Sequence, residues 1–221
     1  MVFFQLYKSG INSLRGVFLS LFVVMFSNVY AQPAFCTYQT YKWNVKLKRA
    51  VEIKQVQHSY SSLEQFEVDS QTGCTVCQED QVTINLPGIK PFSVCRLIAN
   101  DLNQTLRNLI HSGELIYEVT GYRVGMTRGE VDNNFNRTRF SNHSFGIALD
   151  INPAQNGLYD QCQVFSESCR LLRGGPWRPG YMGSLTKDSQ IVRQLTRLGF
   201  NWGGLIQGKQ KDFMHFSPTG Y

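Results

Sequence analysis

Apolar residues recur at intervals of three and four between Phe92 and His111, through Val94, Leu97, Ile98, Leu102, Leu106, Leu109 and Ile110. That spacing predicts an amphipathic helix, with Gly113 as its C-terminal stop. Ile191, Val192, Leu195 and Leu198 predict a second helix, closed by Gly199. Elsewhere the period is two. Val82, Ile84 and Leu86 share one face of a half-buried strand within Gln81–Pro87, and Leu115–Thr120 reads as a strand ending at Gly121. From Phe145 to Ile151, residues Phe145, Ile147, Leu149 and Ile151 share one face, and Gly146, Ala148 and Asp150 the other. A carboxylate flanked by two tiny residues is open to approach. Phe200–Ile206 and Asp212–Ser217 read as two closing strands, after a Gly- and Pro-rich loop from Asn152 to Ser184 that is longer than a connection needs. Residues 32–91 are polar, short-patterned and cysteine-bearing, and are expected to form an irregular N-terminal extension tied down by disulfides.

Residues 1–31 carry only two charges, Lys8 and Arg15, and an apolar run from Gly16 to Ser27. The run has the length of a signal-peptide core and falls short of the roughly 20 residues that span a bilayer. Val29 and Ala31 occupy the small-residue positions of a cleavage site, so the mature chain is expected to begin at Gln32. An uncleaved membrane anchor is the alternative. Export to the periplasm or cell envelope, or secretion, follows from the first reading, with no stable membrane span after cleavage.

The chain has 221 residues, 42% hydrophobic, 13% aromatic and 17% charged, which suits one folded domain or a domain with an appendage and argues against disorder. There are 22 Lys and Arg against 16 Asp and Glu, and loss of Lys8 and Arg15 lowers the net charge from +6 to +4. No run of Lys and Arg forms a stripe, so nucleic acid is not expected as a partner. All six cysteines follow Gln32, and an even number in an oxidising compartment suggests disulfides. The Cys74-Thr-Val-Cys77 pair lacks a second such pair for a zinc site and a strand-to-helix context for redox chemistry. Cys162 and Cys169 are expected to bond to each other; three pairings remain for Cys36, Cys74, Cys77 and Cys95.

Candidate chemistry gathers around two histidines, in Ser141-Asn-His143-Ser-Phe-Gly146-Ile-Ala148-Leu-Asp150 and in Asp212-Phe-Met-His215-Phe216. A zinc hydrolase needs three imidazole or carboxylate ligands and one open position, which His143, Asp150 and His215 can supply. His143 must then lie in a turn before the strand of Asp150, and Asp212 and His215 need a turn between them. Structural histidines are the competing reading from spacing alone, as for His58 and His111.

These segments form an ordered series with Gly121-Tyr-Arg123 and Leu198-Gly-Phe-Asn-Trp202-Gly-Gly204. From about Leu115 to Phe216 the series resembles the zinc peptidoglycan peptidases, a family of D-alanyl-D-alanine carboxypeptidases and dipeptidases and L-alanyl-D-glutamate endopeptidases. The resemblance implies one zinc per chain held by His143, Asp150 and His215. It implies that Asp212 takes a proton from the attacking water and passes it to the leaving amine, that Arg123 holds the scissile carbonyl oxygen, and that Ser141 contacts substrate. Trp202 reads as packing, and Gly203 and Gly204 as room for close backbone approach. The Gln that often follows the family's arginine is not evident, residues 162–183 look inserted, and residues 32–91 have no counterpart in the pattern.

The expected molecule is therefore α+β, a small, mostly antiparallel sheet with packed helices around a zinc site. Residues 1–31 would be the signal peptide, 32–91 the extension and 92–221 the peptidase domain. Its partners would be peptidoglycan stem peptides. Asp rather than Glu at 212 and the Trp202 run lean toward cleavage between L-alanine and D-glutamate. A D-alanyl-D-alanine carboxypeptidase and a non-catalytic envelope-binding module with structural zinc are the alternatives.

Overall fold

The computed structural model describes residues 32–221, and the expected signal peptide with its expected cleavage point after Ala31 lies outside them. Strands β1 (Phe35–Asn44) and β2 (Arg49–Ser59) form a long antiparallel hairpin where an irregular extension was expected. The reason is chemical. The side chains that β1 buries are Cys36, Tyr38, Thr40 and Asn44, so its period of two hardly registers as hydrophobicity. The Asn44 carboxamide oxygen accepts the amides of Lys46 and Leu47 and shapes the turn.

After three short 3-10 turns, β3 (Gln81–Ile84) pairs with β4 (Phe92–Cys95). Helix α1 (Arg96–His111) therefore starts later than its apolar periodicity suggested, because Phe92–Cys95 is taken up by the ladder to β3. It buries Ala99, Leu102, Leu106 and Leu109. Beyond it come β5 (Val119–Thr120), β6 (Met126–Val131), β7 (Arg137–Phe140), β8 (Leu149–Ile151), β9 (Leu158–Asp160) and β10 (Arg170–Arg173). Helix α2 (Gln190–Arg197), β11 (Asn201–Trp202), β12 (Gln210–Asp212) and β13 (His215–Ser217) end the chain.

Three larger sheets result, ordered β2-β1-β6-β7, β10-β9-β12 and β11-β13-β8-β5, and all pairings but β1 with β6 are antiparallel. The main core joins both helices to the third sheet through Leu102, Leu106, Leu149, Ile151, Leu195 and Phe216. Cys36, Tyr38, Tyr60, Val76, Cys77 and Val124 form a second cluster, against which Phe140 and Phe145 pack.

Disulfides join Cys36 to Cys77, Cys74 to Cys95 and Cys162 to Cys169, the last as expected. The Cys74 and Cys77 thiols thus go to separate partners, which removes the zinc and redox readings of that pair. Residues Gln32–Tyr221 form one compact unit. The boundary expected after residue 91 runs between paired β3 and β4 and is crossed by Cys74–Cys95. No helix among the described residues is long and apolar enough to cross a membrane.

Candidate metal centre

His143 sits in a 3-10 turn, Asn142–Phe145, that precedes β8, as the geometry required. Gly146 closes the turn in the left-handed region at φ 67°. A Cβ there would lie 2.1 Å from Gln81 Oε1 and 2.5 Å from Cys95 N, so the glycine has both a conformational and a packing reason. The strand that follows is shorter than its alternation suggested, because residues 142–146 are used in the turn. It carries Asp150, and the register of the third sheet sets Asp150 opposite His215 on β13 and opposite Thr120 on β5.

The three ligand-type atoms, His143 Nε2, Asp150 Oδ1 and His215 Nδ1, converge. Asp150 Oδ1 is 3.1 Å from His143 Nε2 and 3.0 Å from His215 Nδ1, and the metal-capable atoms of this buried group all lie within 4.8 Å of one another. His143 Nδ1 is 2.7 Å from the Gly121 carbonyl, which can only accept, so Nδ1 carries a proton. Burial depresses the imidazole against the pull of Asp150, and Nε2 is the nitrogen turned toward the carboxylate oxygen. A proton shared with Asp150 or a metal ion satisfies that pair. Burial raises the Asp150 carboxyl, yet His143 and His215 outweigh it and hold the group well below the usual carboxylate range. The opposite nitrogen, His215 Nε2, is buried with no hydrogen-bond partner among the described residues. The donor set fits a divalent ion such as zinc, with two imidazoles and one carboxylate.

Asp212 stands apart from the converging atoms, at the end of β12, separated from His215 by the turn at Phe213 and Met214. Its Oδ1 is buried and partnerless among the described residues, and burial pushes the carboxyl up to about 6 against the pull of His215, Arg128 and Arg123. Gly203 makes room for this segment: a Cβ there would lie 2.3 Å from the Asp212 carbonyl. Trp202 is buried and donates its indole N–H to the Phe213 carbonyl at 2.7 Å, as packing rather than as an exposed platform.

The expected Arg123 donates to Asp150 Oδ2 at 2.9 Å, while its Nε is buried without a partner among the described residues. Ser141 is buried at the start of the 3-10 turn, its hydroxyl 3.4 Å from that of Ser144. Of the other histidines, His58 faces Glu67 and His111 ends α1.

Two features of the site were not legible in the sequence. The Gly-rich loop 152–184 is structural to the site, because β9 within it pairs with β12 and sets Leu158 opposite Asp212. Arg128, on β6, adds a guanidinium whose charge acts on Asp212 and which lies 5.4 Å from the centre of the Tyr221 ring. No motif marks it.

Residues 135–218 match the D-alanyl-D-alanine carboxypeptidase family model. That carboxypeptidase match, under half of the chain, includes Ser141, His143, Asp150, Asp212 and His215 and stops short of Arg123 and Arg128. It supports a zinc peptidase of peptidoglycan peptides as the general class. No curated protein and no solved structure matches the chain.

Proposed function

We propose that this chain is an exported, zinc-dependent peptidase that hydrolyses a peptide bond in peptidoglycan stem peptides, with His143, Asp150 and His215 as the zinc ligands. The observation that carries the reading is the convergence of their three ligand atoms near Asp212, whose buried Oδ1 has no hydrogen-bond partner among the described residues. Zinc, when bound, supplies Lewis-acid charge stabilisation and a nucleophile available near neutral pH.

The chain's own residues supply the rest. Asp212 accepts a proton from the attacking water at its carboxylate and returns it to the leaving amine. Arg123 donates to the oxygen on which negative charge develops, while its bond to Asp150 fixes the guanidinium in place. Ser141 contacts substrate at the rim of the turn that carries His143. The three disulfides support export, since such bonds persist in oxidising compartments.

For the bond cleaved, the first reading is endopeptidase action between L-alanine and D-glutamate. A carboxypeptidase needs a cationic anchor for a free carboxylate; of the three arginines in residues 162–183, Arg170 is spent on Asp160 and Arg178 lies over the Tyr181 ring, which leaves Arg173 alone to supply it. The second reading, a D-alanyl-D-alanine carboxypeptidase, is favoured by the description of the matching family and by Arg128 near Asp212. Incubation with a pentapeptide muropeptide separates them. Release of L-alanine-linked and D-glutamate-linked fragments supports the first, and release of free D-alanine alone overturns it in favour of the second.

A further inference from the structure

The positive charge of the chain is not spread evenly. Between Lys42 and Lys54 the β1–β2 hairpin carries Lys42, Lys46, Lys48, Arg49 and Lys54 against the single acid Glu52. Its net +4 equals the net charge of all residues from Gln32 on. Lys46, Lys48, Arg49 and Lys54 are exposed, and Lys42 pairs with Glu52 at 2.7 Å.

Apolar side chains stand among these cations. Leu47 at the turn is 54% exposed, Trp43 36%, and Phe135, at the tip of the β6–β7 hairpin, 47%. The two tips are joined. Asn44 Nδ2 donates to the Asn134 carbonyl at 2.8 Å and to Asn136 Oδ1 at 2.7 Å, Val45 N donates to the Phe135 carbonyl at 2.9 Å, and the Lys46 ammonium lies 4.9 Å from the Phe135 ring centre. Phe135 is held at φ 65°, a costly conformation for a bulky residue, by Asp132, whose Oδ1 accepts the amides of Asn134 and Asn136. About half of this strained, well-anchored aromatic residue is left in water.

We propose that these joined hairpin tips are a docking surface for an anionic lipid bilayer, with Leu47 and Phe135 entering the headgroup boundary and the surrounding cations meeting lipid phosphates. Charge complementarity selects an anionic partner, because clustered Lys and Arg near such a surface each add to binding. The apolar pair selects lipid over a purely ionic polymer, since only a bilayer takes the rings and methyls out of water. The proposal is independent of the peptidase reading, as none of these residues belongs to the metal cluster.

The test uses the compact unit from Gln32 to Tyr221 with its disulfides formed, sedimented with vesicles of phosphatidylcholine alone or with one quarter phosphatidylglycerol. Binding is expected only to the anionic vesicles. Leu47→Gln combined with Phe135→Asn should weaken it about tenfold or more, asparagine being at ease in the left-handed conformation, with the melting temperature near that of the parent. Lys46→Gln with Arg49→Gln should weaken it by about fivefold per charge removed. Equal binding to neutral vesicles, or none to anionic ones, overturns the proposal. So does anionic binding that salt abolishes but the Leu47 and Phe135 changes leave intact, which would point to an anionic polymer.

Discussion

Asp212 is a carboxyl with no local reason to be buried: no hydrogen bond to Oδ1 among the described residues, a pKa near 6, and two arginines acting on it from a distance. A proton acceptor beside a metal cluster explains that cost. Asp212→Asn keeps the shape and removes the acceptor, so hydrolysis should fall by about 100-fold or more while metal content stays at one equivalent. Loss of metal together with activity would show that Asp212 is a ligand. A second residue-scale test concerns His58. Its Nδ1 faces the Ser59 carbonyl and its Nε2 a Glu67 oxygen, both acceptors, so the ring fits best when protonated and its pKa is raised, first by Ser59 and then by Glu67. A raised folded pKa contributes stability that is complete below the unfolded value of about 6.5 and is lost as pH rises through the folded value. His58→Gln should therefore flatten the fall in melting temperature between about pH 6 and pH 8. An unchanged slope would contradict this assignment.

The elements explain why these side chains meet. The turn that holds His143 depends on Gly146, whose left-handed backbone and contact with Cys95 N leave no room for a side chain. Gly146→Ala should cost at least about 1 kcal/mol from conformation alone, with the clash added. Chemical denaturation measures it, and a midpoint equal to that of the parent would mean the backbone rearranges freely. This turn was legible in the sequence, because His143 and Asp150 are seven apart and could not share a face of one strand. The β1–β2 hairpin was not, since the buried face of β1 is Cys, Tyr, Thr and Asn and no residue of β2 is fully buried. The role of β9 was hidden for another reason. A three-residue strand inside a Gly-rich loop has no periodicity, and only the ladder to β12 reveals it.

At the scale of the molecule, two sheets divide the work: the one containing β8 and β13 carries Asp150 and His215, and the one containing β12 carries Asp212. The metal donors were readable as a set because the motifs keep their order along the chain. Arg128 was not, because its relation to Asp212 arises only when β6 is laid beside the site. The central claim, metal-dependent hydrolysis by this cluster, is tested most directly by product masses from a defined muropeptide, measured before and after chelation and after zinc is restored. The account predicts cleavage of a stem-peptide bond that chelation abolishes and one equivalent of zinc per chain restores, with no restoration in His215→Ala. Full cleavage by the metal-free protein would contradict it.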